Sequence, residues 1–333
     1  MSNEPNPTQS LQTDPSFGLI CDAVASGRIL LFLGAGVHAS PEPMLKWKYS
    51  QLERPLFASE LATKLAAESG WSVRFDPADY PPSLNFSRVA LDYELNIEND
   101  LAQKNNKRPF QPSYYVSSAA QAKELRANGR TRLGNVIKAA VEVGKQPSAA
   151  LRALAELDFT IIVTTNYDSL FWDALITVGK SPTAEYYVPG RSGEVANPAD
   201  DPTPDKPFLF QIHGSASDPS SMVITDEDYI DFVLHMSTTG PSNPVPGTIY
   251  YRMRTWPTLF IGYRLQDFDL RLLMKTLRYR KEKFKTCYLV DPCPDSLIKR
   301  VWDDELKYIS FVVDDLWTFV PALYRKVKGV DMP

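Results

Sequence analysis

Short apolar runs recur along the chain with the length and the β-branched or aromatic content of strands. They are RILLFLGAG (28–36), FTIIVTTN (159–166), FLFQIHG (208–214), TLFIGY (258–263), TCYLVD (286–291) and YISFVVDD (308–315). Each run is continuous rather than alternating, the pattern of a strand covered on both faces in a parallel sheet. Between them lie segments with helical spacing: SAALRALAEL, SLFWDALITVG, DEDYIDFVLHM, DFDLRLLMKTLRYRKEK and DSLIKRVWDDELK. Strand and helix therefore alternate from about residue 150 onward. This order predicts an α/β fold, a Rossmann-like parallel sheet with helices on both faces and right-handed crossovers.

Residues 41 to about 149 break the rhythm. They offer FASELATKLAAES, SRVALDYELNIENDLAQ and RLGNVIKAAVEVG as helices and no strand, so they read as a mostly helical insertion after the first strand. KNNKRPFQPS and PGRSGEVANPADDPTPDKP lack periodicity and read as loops, long enough to suggest lids or binding segments. The Pro-, Ser- and Asn-rich residues 1–16 read as a disordered tail. Residues 17–333 then form one domain, with a core over about 26–40 and 150–325 and the insertion over about 41–149.

Composition narrows the function classes. Apolar residues make up 44% and charged residues 23% of the 333, the profile of a folded globular chain. A net charge of −4 gives no basic field for nucleic acid. No segment reaches the ~18 consecutive apolar residues of a membrane span. Cys21, Cys287 and Cys293 are too few and too scattered for a disulfide framework or a zinc site of four thiolates, so a cytoplasmic setting is expected.

The polar residues that end the strands carry the chemistry. The runs stop at Gly34-Ala35-Gly36, Thr164 to Asp168, His213-Gly214-Ser215, Gly262-Tyr263-Arg264 and Asp291-Pro292. In open parallel sheets, ligands bind outside the carboxyl ends of the strands. GAGVHA, residues 34–39, fits a glycine turn after a strand that lets backbone amides approach a phosphate. Pro41 and Pro43 interrupt any long helix behind it, and no strand with a ribose-binding acid follows, which argues against a dehydrogenase half. His213 closes an apolar strand, where an imidazole suits proton transfer or hydroxyl binding. His235, inside a helical segment, reads as a surface or packing residue. Asn166 and Asp168 lie two apart. Asp168 also suits the cap of the following helix, but capping leaves Thr164, Thr165 and Asn166 unexplained.

In order and spacing, GAGVHAS, TTNYD, IHGS and FIGYRLQD resemble the SIR2 (sirtuin) superfamily. They are most similar to the SIR2-like NADase domains of prokaryotic antiphage defence systems, over roughly residues 25–320. The resemblance implies NAD⁺ as substrate, cleavage of its nicotinamide–ribose bond, depletion of NAD during abortive infection, and no metal. Carried over by position, it implies that Asn166 places a water or ribose hydroxyl and that His213 contacts the ribose and acts as base. Thr165 and Asp168 would bind the cofactor, Asp168 through the nicotinamide carboxamide. Gly34, Ala35 and Gly36 would line the phosphates, and Gly262, Tyr263, Arg264 and Asp267 the adenosine side. His38 and Arg264 stand where the family usually has serines, and Arg264 there suits a pyrophosphate or a partner surface.

Two other functions share these motifs: an NAD-dependent protein deacylase and a non-catalytic NAD or ADP-ribose binding module. Deacylating relatives usually carry paired cysteines between the H-G and the later glycine motif, and no cysteine lies between His213 and Gly262. A pure binder has no need of both Asn166 and His213. The resemblance further implies control by assembly into a homo-oligomer or by a hetero-complex with a HerA-type ATPase, an Argonaute or a nucleotide-sensing protein. It leaves ADP-ribose and cyclic ADP-ribose open as products.

Overall fold

The computed structural model describes residues 11, 14–95, 119–189, 197–198, 200–236, 245–265, 271, 274, 286–305 and 309–333. Seven strands form one sheet: β1 (Leu30–Leu33), β2 (Ile161–Thr164), β3 (Thr183–Tyr186), β4 (Phe208–Gln211), β5 (Thr258–Ile261), β6 (Cys287–Val290) and β7 (Ile309–Val312). Their order is β3-β4-β2-β1-β5-β6-β7, and every pairing is parallel. The register is unstaggered, so Tyr186, Gln211, Thr164, Leu33, Ile261, Val290 and Val312 lie in one row. Whatever follows each of these residues leaves the sheet at the same edge. The chain moves from β1 to β2 on one side and reaches β5 on the other, so the order reverses around β1.

Successive strand residues point to opposite faces, and both faces are covered. Leu31, Leu33, Ile162, Leu209, Leu259 and Ile261 pack on one side against α1 (Pro15–Ala25), α5 (Ala149–Glu156), α6 (Leu170–Thr177) and α9 (Leu316–Lys328). Leu30, Phe32, Ile161, Val163, Phe208, Phe210 and Phe260 pack on the other against α7 (Asp226–Met236) and α8 (Gly247–Thr255). Burial on both sides is why the runs read as continuous.

Between β1 and β2 the described residues hold α2 (Ala58–Ser69), α3 (Phe86–Leu95) and α4 (Ala119–Val141), with short turns and no strand. Leu61, Leu65, Val89, Tyr93, Leu133 and Ile137 give this layer its own core, which reaches Met222 and Ile224 ahead of α7. An ion network ties the layer down. Glu94, 2% exposed, meets Arg126 at 3.3 Å and Arg130 at 3.2 Å, and Arg130 also pairs with Asp228 of α7. Burial raises the pKa of Glu94, and the guanidinium of Arg130 opposes that rise. Ser87 of α3 hydrogen-bonds Asp226.

Three elements differ from the sequence pattern. β3 is an edge strand of Thr-Ala-Glu-Tyr with its first two residues exposed, so it lacks an apolar run. α9 carries Pro321 inside it, which hides its periodicity. Its start is secured by Asp315, which accepts from Trp317 N at 2.7 Å, and its apolar face is buried. α8 begins at a glycine and was likewise not apparent. The segments DFDLRLLMKTLRYRKEK and KNNKRPFQPS lie almost wholly or wholly outside the described residues, as do residues 1–10; the tail read as residues 1–16 is too long, because Asp14 caps α1 by accepting from Ser16 N at 2.8 Å.

Asp314, just after β7, is buried, and burial pushes its pKa from 3.8 up to about 6. The folded state therefore disfavours its carboxylate, a cost that is absent below pH 3.8, grows as pH rises towards 6 and stays complete above it. Asp314→Asn is expected to stabilise the protein by about 1 kcal/mol at pH 7.5, allowing for solvent screening, and to have little effect at pH 3.5. Thermal unfolding at the two pH values checks this. An equal effect at both would contradict it.

Candidate active site

The ends of β1 and β5 are locked together through backbone. Gly36 N donates to Gly262 O at 3.0 Å, and Gly34 N donates to Ile261 O at 2.9 Å. A β-carbon on Gly34 would lie 2.6 Å from Gly262 O, one on Gly36 would lie 2.9 Å from the Gly262 Cα, and one on Gly262 would lie 2.4 Å from Val37 N. Gly262 also has φ +81°, which side chains rarely adopt. The glycines are thus required by the approach of two turns to each other. A turn of 3₁₀ helix, Ala35–His38, follows and carries His38 inward.

At the end of β2 the polar cluster is held from several sides. Thr164 Oγ1 donates to Leu33 O at 2.9 Å and accepts from Asn166 N at 3.0 Å. Tyr263 OH donates to Leu33 O at 3.1 Å, so Thr165 Oγ1, 2.7 Å away, donates to the phenol oxygen. Gln211 Nε2 binds the carbonyls of Asn166 and Asp168 at 3.2 and 3.0 Å. Asp168 accepts from Leu170 N through Oδ1 at 3.0 Å, capping α6, and presents Oδ2 to His38 Nε2 at 3.2 Å. Asn166 Nδ2 lies 3.2 Å from the same His38 nitrogen and 3.4 Å from Gly34 O. Asp168 thus satisfies the first amide of α6 with one oxygen and faces His38 with the other.

His213 follows β4 by two residues. Its ring is held edge-on by Tyr229 and Phe232 of α7, with centroids 5.6 and 5.1 Å away. Burial alone lowers its pKa from 6.5 to about 3, so the imidazole is neutral at physiological pH. Gly214, with φ +81°, turns the chain away beneath Ser221, whose carbonyl would be 2.2 Å from a β-carbon there.

These strand ends open into one cavity of about 790 Å³. Its floor includes Ala35, His38, Thr165, Asn166, Asp168, His213, Gly262 and Tyr263. Its roof is largely the helical layer, through Leu56, Phe57, Leu61, Phe86, Arg88 and Val141, with α7 at the side. Of the residues singled out by sequence, Gly34 and Gly36 lie behind the lining, packed against Gly262. Arg264 is exposed and outside it, and Asp267 lies outside the described residues. His38 and the aromatic pair Tyr229 and Phe232 were not picked out as site residues. His38 had a signal, its place two residues beyond the glycine turn, whereas the aromatics sit in an ordinary helical pattern. Among the described residues, no group of three or more His, Cys, Asp or Glu is placed to hold a metal ion. No helix among them is long and apolar enough to cross a membrane.

Residues 160–309, from β2 to the first residue of β7, match the family described as a SIR2-like domain. That stretch resembles the SIR2-like family. It is also similar to a protein named NAD(+) hydrolase ThsA from Acinetobacter baumannii (strain 532279), 24% identical over 237 residues, 70% of this chain and 41% of that protein. A second protein of the same name, from Cytobacillus dafuensis, is 27% identical over 151 residues, 45% of this chain and 28% of that one. The chain therefore spans less than half the length of either curated relative.

The depressed pKa of His213 sets an acid limit on this domain. Unfolding returns the imidazole to a pKa of about 6.5, so protons favour the unfolded chain below that value. Its contribution is complete above pH 6.5 and is lost as pH falls towards 3. His213→Phe, which removes the titration, is expected to lose about 2 kcal/mol less stability than the native protein between pH 7.5 and pH 4.5. Denaturant unfolding at both pH values measures the difference; identical losses would rule the account out.

Proposed function

We propose that the SIR2-like domain hydrolyses NAD⁺ to nicotinamide and ADP-ribose, and that it depletes NAD as an effector of antiphage defence, switched on by a partner or by assembly. The observation that carries this reading is the meeting of Asn166 and His213, from the ends of β2 and β4, on one cavity bordered by the glycine turns after β1 and β5. The similarity to two proteins named NAD(+) hydrolase supports the same reaction.

The chemistry suits the residues. When the bond from ribose C1′ to the pyridinium nitrogen breaks, its electron pair goes to that nitrogen and nicotinamide leaves neutral. The ribose becomes oxocarbenium-like, and a water attacks C1′ and releases a proton. Catalysis here is chiefly positioning and charge stabilisation. Asn166 orients the water or a ribose hydroxyl. His213 accepts a hydrogen bond from a ribose hydroxyl as a neutral imidazole. A pKa of about 3 makes it a weak base, and attack on a cationic centre asks little of one. Thr165, Tyr263, Ala35 and Gly262 line the same cavity, and Leu56, Phe57, Leu61 and Phe86 give it an apolar roof.

The test is nicotinamide release from NAD⁺ by the purified chain, with any co-purifying partner, and by Asn166→Ala and His213→Ala. Each substitution is expected to lower kcat by about 100-fold or more. Release that survives both would overturn the assignment. Release only in the presence of an acetylated peptide would point to deacylation instead.

A further inference from the structure

His38 is the polar group of the cavity floor that the NAD⁺ reaction as described above leaves unused. It is 2% exposed, and its Nε2 lies 3.2 Å from both Asp168 Oδ2 and Asn166 Nδ2. Its Nδ1 is buried without a hydrogen-bond partner. A single ring nitrogen carries at most one hydrogen, so Nε2 cannot serve the carboxylate as a donor and the amide as an acceptor at once.

The surroundings decide between the two. With the hydrogen on Nδ1, that atom would be a buried donor with no acceptor, and the Nε2 lone pair would face a carboxylate oxygen. With the hydrogen on Nε2, the bond to Asp168 is charge-assisted, at the cost of an unmet Nδ1 lone pair and of one Asn166 amide hydrogen that loses Nε2 as acceptor. Asn166 Nδ2 then rests against Nε2 as a non-bonded neighbour and keeps Gly34 O as its acceptor. The oxygen of its amide is left for a ligand.

We propose that His38 is a positioning residue for Asn166: its Nε2–H occupies the Asp168 carboxylate, which would otherwise capture the Asn166 amide and turn it from the cavity. The inference rests on the glycohydrolase reading for its consequence but not for its geometry. Asp168 already binds Leu170 N through Oδ1, so Oδ2 is the oxygen that His38 keeps engaged. Without the imidazole, Oδ2 accepts from Asn166 Nδ2, and Oδ1 of the asparagine no longer faces the reacting centre.

Two measurements test this. In protein labelled with ¹⁵N-histidine, His38 is expected to carry its hydrogen on Nε2 at pH 7.5, with Nδ1 as the bare nitrogen; a hydrogen on Nδ1 would overturn the proposal. In nicotinamide release, His38→Leu is expected to lower kcat by about 100-fold with little change in KM, and His38→Gln, whose amide can donate to Asp168 in place of Nε2, to regain at least about tenfold of that. Equal loss in both variants, or no loss in either, would also overturn it. A native protein that releases no nicotinamide even with its co-purifying partner refutes the glycohydrolase reading, and the tautomer of His38 still decides this proposal.

Discussion

The contact on which the site depends is the one between two backbones, the Gly36 amide on the Gly262 carbonyl at 3.0 Å. No β-carbon fits on either side of it. By closing the ends of β1 and β5 on each other, it sets where the 3₁₀ turn begins and so where His38 arrives. It also places Tyr263, whose hydroxyl shares the Leu33 carbonyl with Thr164. The polar cluster after β2 is therefore braced from β1 and β5 at once. Precision of this kind comes from rigid elements rather than from the polar residues themselves.

The helical layer completes the site in a different way. It supplies the apolar half of the cavity and is fastened to α7 by charge: Arg130 bridges buried Glu94 and Asp228, and Ser87 meets Asp226. α7 in turn holds His213 between two aromatic rings. A layer with its own core thus meets the carboxyl end of the sheet both directly and through α7, and the low pKa of His213 follows from its burial there.

The parallel sheet was legible because each central strand is buried on both faces and shows an unbroken apolar run. The edge strand β3 is half exposed and polar, and α9 interrupts its pattern with Pro321, so neither left that signature. At the candidate site, the residues after the strand ends stood out because a buried apolar strand does not ordinarily run straight into a sequence such as TTNYD or into a histidine. What could not be read is three-dimensional. The glycines of GAG read as a phosphate turn, yet Gly34 and Gly36 face Gly262. His38 stood out only as a departure from a family pattern, because its meeting with Asp168 and Asn166 joins loops about 130 residues apart. The roof, drawn from a helical segment of ordinary amphipathic character, carried no mark of its position.

The place of β1 at the centre of the sheet also bears on how the chain acquires its structure. Leu30 pairs with Ile161 on one side and with Thr258 on the other, so the most apolar strand is made early and finds its first neighbour only after the whole helical layer has been synthesised. Such long-range pairing slows folding and leaves a sticky segment uncovered meanwhile. The core of the intervening layer includes Ala216, Met222 and Ile224, so it too is completed only after β4 has been made. The roof of the cavity and the two sides of β1 are therefore closed by segments that come late in the chain.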